Sequence, residues 1–192
     1  MTPSTLITMS GRAVDPLAMR VDDVSWIDIG HALSQINRWN GHTRVPWSVA
    51  HHSIVVATLA EPADTLWALL HDASEAYLCD LPRPVKLLPV LSPYLALEAR
   101  VMHVVLEAAG IAPALLPDAV REIDDAVLVA EYRAFFPTSR HQTRLPAVRE
   151  HLVAQASDWI RAESGISARA TADRWKRWVI SLAHRTEGIG AA

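Results

Sequence analysis

Prolines and glycines divide this chain into short segments, and nearly all of these segments have the apolar periodicity of amphipathic helices. The alternation expected of an extended strand is found at most in Leu6 to Met9. Gly11 and Pro16 interrupt residues 5–24, which we therefore expect to form a loop or a short hairpin. The predicted helices span residues 27–39, 47–59, 62–77, 92–109, 117–135, 146–160 and 168–184. The pattern favours an all-α fold, a helical bundle that follows an irregular or hairpin segment.

The length and composition of the chain predict one domain. Its 192 residues, of which 51% are hydrophobic, fall in the usual size range of a globular domain and can bury a sizeable core. We therefore expect residues 1–192 to form a single domain. Charged residues and prolines interrupt the apolar runs well before the roughly 20 residues that a membrane helix needs, so no membrane partner is expected.

The net charge and the cysteine content limit the partners and the cellular compartment that we expect. A formal net charge of -3 argues against a nucleic-acid partner bound through bulk charge, which needs a concentrated basic surface. The run RWKRW at 174–178 could stack on bases, but on an amphipathic helix it more often forms a packing face with solvated charges. The single cysteine, Cys79, leaves no pair for an internal disulfide and fits a reducing compartment. Because the first 12 residues contain no secretion signal, we expect a cytoplasmic protein.

His71 and Asp72 are adjacent at the end of the apolar run Trp67 to Leu70. A carboxylate buried in such surroundings without a partner is very unfavourable, and a metal ion satisfies the imidazole and the carboxylate together. Further ligands could come from neighbouring helices of a bundle, where His52 and Asp124 are candidates. By spacing alone, these residues fit a metal site and a hydrogen-bonded core equally well. Two imidazoles and two carboxylates suit Mn, Fe, Co, Ni or Zn, and would leave positions for water and a phosphate oxygen.

A longer run around this pair carries a family resemblance. Residues 71–86, HDASEAYLCDLPRPVK, resemble the signature of HD-domain metal-dependent phosphohydrolases, in particular the small 5'-nucleotidase-like and dNTP triphosphohydrolase-like branch of bacteria and phages. Three further segments agree with it in order: INRW at 36–39, GHTRVPWSVAHHS at 41–53 and VREIDDAVLVAE at 120–131. The resemblance covers residues 27–136 and, more faintly, SGRAVDP at 10–16. It implies an HD-type helical bundle.

The resemblance also implies a set of metal ligands. The histidine of the family's ligand segment falls on His52, and its paired histidine and aspartate fall on residues 71–72. The last aspartate of the family stands seven residues before a glutamate, which selects Asp124 over Asp125. At His51 the chain departs from the family's usual glutamate, which leaves His51 as an alternative to His52. The implied cofactor is one divalent transition metal, among Co, Mn, Fe, Ni and Zn, or Mg with a triphosphate substrate.

Two acidic residues after the pair are the expected catalytic groups. Glu75 follows His71 and Asp72 by one helical turn, so it should share their face, and the family implicates this glutamate in activating the attacking water. Asp80 lies in the loop before Pro82, where related enzymes use an aspartate near the nucleotide and the leaving oxygen. The alternatives are a solvated helix charge for Glu75 and an ordinary turn aspartate for Asp80.

Basic and aromatic residues are expected to bind the substrate. Arg38, at the end of the first predicted helix, could make a bidentate contact to phosphate, and Trp39 beside it could lie against the sugar or the base. Resemblance to the INRW segment of the nucleotidase branch favours this over a surface arginine and a core tryptophan. Further candidates for the phosphate tail are His42, Arg44 and Lys86.

The function implied is hydrolysis of a nucleotide phosphate, with a deoxynucleotide as the expected substrate and phosphate or triphosphate as the product. Three alternatives stay open: a phosphodiesterase for cyclic or signalling nucleotides, a nucleotide sensor without catalysis, and a helical interaction module. Because members of the family commonly self-associate, a homo-oligomer is expected.

Overall fold

A short hairpin precedes the helices in the computed structural model, which describes residues 5–112, 115–138 and 145–187. Its strands, β1 (Leu6–Ile7) and β2 (Ala13–Val14), pair antiparallel, with Leu6 opposite Val14. Gly11 in the connection has a φ of +83°, a conformation that a residue without a Cβ adopts readily. The hairpin expected within residues 5–24 is therefore confirmed.

The rest of the described chain is helical, and the all-α prediction is confirmed. The α-helices are α1 (Trp26–Gln35), α2 (Val49–Leu59), α3 (Thr65–Leu70), α4 (Glu75–Leu78), α5 (Arg83–Lys86), α6 (Ser92–Ala108), α7 (Asp118–Phe135), α8 (Glu150–Glu163) and α9 (Ala168–Glu187). Short 3₁₀ helices occupy Val21–Asp23, Arg38–Gly41 and Pro89–Leu91.

Local chemistry accounts for several helix ends. Ser48 caps α2, because its hydroxyl accepts a hydrogen bond from the His51 amide at 3.3 Å. Pro93 lies in the first turn of α6, where its missing N–H has no helical partner to lose. Gly110 follows the end of α6 with a φ of +70°. These ends agree with the predicted boundaries.

The first predicted helix is shorter than expected, so the placement of Arg38 at its end is wrong. α1 stops at Gln35, and the chain then turns to form an isolated antiparallel bridge between Asn37 and Ser48. Trp39 and the residue after it adopt left-handed backbone angles inside the 3₁₀ turn. The backbone therefore leaves the helix in order to pair with the segment that leads into α2.

The prediction of one continuous helix over residues 62–77 is also wrong. α3 ends at Leu70 and α4 begins at Glu75, with His71 and Asp72 in the intervening turn. The amide of Ala73 bonds to the Leu70 carbonyl at 2.8 Å, and the amide of Glu75 bonds to the Asp72 carbonyl at 3.0 Å. These three-residue bonds tighten the chain where an α-helix would bond four residues back. The loop expected at Asp80, before Pro82, leads directly into the short helix α5.

The helix α2 runs through the centre of the hydrophobic core. All residues from Val49 to Ala57 are buried, and α2 packs against α1, α3, α7, α8 and α9. α9 closes the core from one side: Trp175 is fully buried, and a Cβ added at Gly30 of α1 would lie 3.0 Å from its ring. The indole N–H of Trp175 donates to the Leu69 carbonyl at 3.3 Å. Trp175 of the 174–178 run therefore belongs to a packing face.

No helix among the residues that the structure describes combines the length and the apolar composition that crossing a membrane requires.

Candidate metal centre

Three side chains from α2 and the turn after α3 form a group that could hold a metal ion. One ligand atom each from His52, His71 and Asp72 lies within 4.8 Å of the others. The Oδ2 atom of Asp72 is 3.2 Å from His71 Nε2 and 3.8 Å from His52 Nε2. The His52 side chain is fully buried, whereas the Asp72 side chain is 21% exposed. The group therefore reaches solvent on the side of Asp72.

Asp124 of α7 joins this group from the opposite side. Its Oδ1 atom is 3.0 Å from His52 Nε2 and 3.9 Å from His71 Nε2. Its neighbour Asp125 instead forms an ion pair with Arg83, at 3.0 Å from Nη1. Of the two aspartates weighed from the sequence, the structure brings Asp124 to the imidazoles.

His51, the alternative to His52, faces away from the group. Its Nδ1 lies 2.7 Å from the Ser48 hydroxyl and its Nε2 lies 2.9 Å from the Thr171 hydroxyl of α9. Both ring nitrogens are thereby used in packing α2 against α9. The structure places His52 at the centre and gives His51 a structural contact.

In both His71 and His52, the hydrogen-bond partner of Nδ1 determines which ring nitrogen carries the proton. His71 Nδ1 is 2.6 Å from the Ala68 carbonyl, which can only accept, so Nδ1 carries the proton. His52 Nδ1 is 2.8 Å from a carboxylate oxygen of Glu131, so it donates as well. In a neutral ring, each Nε2 then presents a bare lone pair to the carboxylates of Asp72 and Asp124. A lone pair facing a carboxylate oxygen at 3.0–3.2 Å is repulsive unless a proton or a metal cation lies between them.

The charges of the group favour a cation. Burial and Arg38 lower the pKa of His52, but Glu131 and Asp124 outweigh them and raise it to about 9. Burial also lowers the pKa of His71, and Asp72 more than offsets that effect, so this pKa too lies above its usual value. The centre thus has a high affinity for positive charge. Imidazole nitrogens and carboxylate oxygens are ligands that suit divalent first-row metals.

Glu131 of α7 is the hydrogen-bond hub behind the centre. Its side chain is fully buried, and its Oε1 accepts from His52 Nδ1 and from Trp47 Nε1, each at 2.8 Å. Its Oε2 accepts from Arg38 Nε at 3.0 Å and from Trp39 Nε1 at 3.1 Å. Burial raises the pKa of Glu131, but the charges of Arg38 and His52 outweigh it and lower the pKa to about 2. A metal-ligating histidine is commonly oriented by such a carboxylate.

Glu75, the expected catalytic carboxylate, begins α4 and is 3% exposed. Its Oε1 accepts from Lys86 Nζ at 3.3 Å, while its Oε2 has no hydrogen-bond partner among the described residues. Burial, reinforced by the charges of Asp72 and Asp80, raises the pKa of Glu75 well above its usual value. The side chain thus has one oxygen held and one free.

Three of the residues expected to bind substrate have different surroundings in the structure. Arg38 lies beside the centre, with Nη1 3.6 Å from Asp72 Oδ2, although Glu131 holds its Nε. Trp39 packs edge-on against Phe136, with ring centroids 5.1 Å apart. Lys86 contacts Glu75 and also donates to Glu98 at 2.7 Å.

His42 and Arg44 are exposed, and neither forms a side-chain hydrogen bond or ion pair with any described residue. Asp80 is half-buried, and burial raises its pKa although Arg38 opposes this. The substrate-binding and catalytic roles of these three residues stay predictions.

Two residues near the centre were missed as participants in the sequence. In the sequence, Glu131 was used only to choose Asp124 over Asp125. The separation of Glu131 and Asp124 by two helical turns nevertheless places both on one face of α7. Arg83 lies within the family-like run at 71–86, and its Nη2 is 3.7 Å from Asp124 Oδ2. Spacing along α7 could have identified the first, whereas nothing in the sequence distinguishes Arg83 from other exposed arginines.

Comparisons with known proteins extend over much of the chain. No family model matches it. It is 34% identical over 130 residues to the uncharacterized protein YfdR of Escherichia coli (strain K12), an alignment that covers 68% of this chain and 71% of YfdR. It is 37% identical over 122 residues to an uncharacterized protein of Rhodobacter capsulatus, with 59% of this chain and 61% of that protein covered. Neither name states an activity, so the chemistry of the site carries the functional argument.

Proposed function

This chain belongs to the family of the Escherichia coli protein YfdR, and we propose that it is an HD-domain metal-dependent phosphohydrolase that acts on nucleotide phosphates. The resemblance of residues 71–86 to the HD signature supports the family assignment, and the clustering of His52, His71 and Asp72 supports the metal. The substrate proposed is a deoxynucleotide, and the product is phosphate or triphosphate.

One observation carries the proposal: two buried imidazoles use Nδ1 as a hydrogen-bond donor and each turn Nε2 toward a carboxylate. His71 Nε2 has no hydrogen-bond partner of suitable geometry in the described part of the chain, although Asp72 lies 3.2 Å away. Buried polar groups are seldom left in this state without a ligand. The residues present therefore fit a divalent metal held by His52, His71, Asp72 and Asp124. Such a metal would polarise a phosphoryl oxygen and make a water molecule more acidic.

The protein's own groups supply the remaining chemistry. The free Oε2 of Glu75 accepts a proton from the attacking water, while Lys86 holds Oε1 and so orients the carboxyl group. Arg38 keeps its guanidinium beside Asp72, where it can stabilise the negative charge of the phosphoryl group. Its Nε bond to Glu131 fixes the position of that charge.

The decisive experiment is a turnover assay on purified protein that has been stripped with a chelator and reloaded with one metal at a time. Co, Mn, Fe, Ni, Zn and Mg are each tested with deoxynucleoside monophosphates, deoxynucleoside triphosphates, ribonucleotides and cyclic nucleotides, and the products are separated by chromatography. We expect metal-dependent release of phosphate or triphosphate from at least one deoxynucleotide. The His71→Ala variant is the control for contaminating phosphatases.

Three results would contradict the proposal. Turnover that the His71→Ala substitution abolishes but the chelator leaves intact would exclude the metal mechanism. Metal-dependent nucleotide binding without any product would identify a sensor that keeps the site but not the reaction, and preferential cleavage of cyclic nucleotides would identify a phosphodiesterase.

A further inference from the structure

A cavity of about 720 Å³ opens directly beside the candidate metal centre. We call it the α3–α6 pocket, because Trp67 of α3 and residues of α6 form its walls and His71 and Asp72 form one end. Its volume lies within the range typical of pockets that enclose a small organic ligand. A molecule whose phosphate lies at the centre would therefore extend into this pocket.

The wall of the pocket contains both polar and apolar side chains. Beside the centre, its wall includes Lys86 and Glu98, which neutralise each other in an ion pair of 2.7 Å. The rest of the wall includes Met102 and leucine side chains from α6 and from the segment before α7. This combination suits a ligand with an anionic group at one end and an uncharged group at the other.

Two aromatic side chains in this wall have polar ring atoms that form no hydrogen bond with the described residues, and this favours a heteroaromatic ligand over an acyl chain. Trp67 and His103 both line the pocket, and neither ring forms a side-chain hydrogen bond with any residue that the structure describes. A flat heteroaromatic ring can stack on the indole and exchange hydrogen bonds with the imidazole. An acyl chain could form neither of these contacts.

The indole of Trp39, by contrast, is already used. Its N–H donates to Glu131 at 3.1 Å, and its ring packs against Phe136. The sequence made Trp39 a candidate for contact with the base, but these bonds hold it as part of the framework behind the centre. The unused aromatic surface lies in the α3–α6 pocket.

We propose that the α3–α6 pocket binds the nucleobase of the substrate while the 5'-phosphate lies at His71 and Asp72. This inference rests on the proposed function, since it assumes that the phosphate is held at the metal centre. It makes α6 the element that distinguishes nucleotides from small phosphate esters, because a sugar phosphate without a base does not reach Ala99, Met102 or His103.

Two exposed alanines of α6 provide a matched test. Ala99 lines the pocket, whereas Ala96, three residues earlier on the same helix, does not. The variants Ala99→Trp and Ala96→Trp add the same side chain, and each is assayed on dAMP and on 2-deoxyribose 5-phosphate with the best metal. We expect Ala99→Trp to lower kcat/KM for dAMP by at least about tenfold and to leave the sugar phosphate within about twofold. Ala96→Trp should change neither value.

A binding measurement separates failure of the pocket from failure of the proposed function. Calorimetric titration with deoxyadenosine, which has no phosphate, tests the pocket without turnover. We expect the unmodified protein to bind deoxyadenosine and Ala99→Trp to lose that binding. If no phosphate ester is hydrolysed but this difference in binding is found, the proposed function fails and the pocket stands.

Three results would overturn the pocket: no deoxyadenosine binding to the unmodified protein, equal binding by Ala99→Trp, or an equal loss of turnover on both substrates. The exposed His103→Ala variant replaces Ala99→Trp if the latter does not fold. It should weaken binding of deoxyadenosine while leaving 2-deoxyribose 5-phosphate turnover unchanged.

Discussion

The candidate metal centre has two sides that are equally buried but differently paired. On the α7 side, Glu131 is fully buried and both of its oxygens accept two N–H donors each. On the α4 side, Glu75 is almost as buried, yet its Oε2 has no partner among the described residues. Burial raises the pKa of both carboxyl groups. At Glu131 neighbouring positive charge reverses this effect, whereas at Glu75 the charge of Asp72 adds to it.

This difference in hydrogen-bond pairing distinguishes the side of the centre that supports the ligands from the side that is available to a metal and a substrate. A buried polar group without a partner costs about 1–3 kcal/mol of stability, so such groups persist mainly where a ligand completes them. The paired side, around Glu131, holds the ligands in position. The unpaired side has two polar atoms without a partner among the described residues, Glu75 Oε2 and His71 Nε2, which the proposed metal and substrate would complete.

The largest expected effect comes from removing a ligand on the boundary between the two sides. Asp124→Ala should abolish detectable hydrolysis and weaken metal binding by at least about 100-fold, more than the loss of a supporting group usually causes. Asp125→Ala is the matched control, since Asp125 pairs with the exposed Arg83 rather than with the imidazoles. Metal titration followed by calorimetry measures both variants. Loss of metal in the Asp125 variant alone would show that the ligand has been misassigned.

The next effect tests the unpaired side. Glu75→Gln should lower kcat by roughly 10²–10⁴-fold, because the amide cannot accept the proton of the attacking water. Metal affinity should stay unchanged, and thermal stability should not fall, since a buried carboxyl group with a free oxygen is replaced by a neutral group of the same shape. If metal affinity falls in parallel with kcat, Glu75 helps to position the metal ligands, and the contrast between the paired and the unpaired side of the centre is wrong.

On the paired side, Glu131→Gln should weaken metal binding by about 10–100-fold. The amide offers one acceptor oxygen and turns an NH₂ group toward N–H donors, so His52 or Arg38 loses its partner. Glu122→Gln, which changes a partly exposed glutamate of the same helix, is the control. Unchanged metal affinity in the Glu131 variant would mean that the hub does not position His52.

The smallest expected effect concerns one donor of the hub. Trp39→Phe removes a half-buried N–H from Glu131 and leaves three others, so we expect a loss of roughly 1 kcal/mol in the free energy of unfolding. Trp47→Phe removes a fully buried donor and should destabilise the protein more. Urea denaturation of the two variants measures the difference. Equal losses would indicate that exposure at Trp39 has no influence on the hub.

Local chemistry explains which parts of the fold could be predicted. The start of α2 depends on Ser48, and the end of α6 depends on Gly110, so both boundaries follow from neighbouring residues. The break after Leu70 could not be predicted, because the residues on both sides of it are compatible with a helix. It is stabilised by the tightened turn and by the bond from His71 to the Ala68 carbonyl.

The same distinction applies to the candidate site. The ligand types were visible because His71 and Asp72 are adjacent and belong to a long family-like run. Spacing along α7 could place Glu131 on the face of Asp124, but its bond to Arg38 could not be predicted, because the two residues are 93 positions apart and meet only in the folded chain. The left-handed conformation of Trp39 could not be predicted either, because no glycine stands at that position to indicate it. This conformation accompanies the bond from Trp39 to Glu131, which forms only in the folded chain.

The packing of α9 also determines when the centre can be completed during synthesis. Its Thr171 contacts His51, next to a ligand on α2, and its Trp175 bonds to Leu69, just before the ligand pair. All the proposed ligands are translated before this helix, yet their supporting elements stay uncovered until it emerges from the ribosome. Metal loading should therefore be a late event, and a nascent chain arrested before residue 168 should retain metal less tightly than the finished protein.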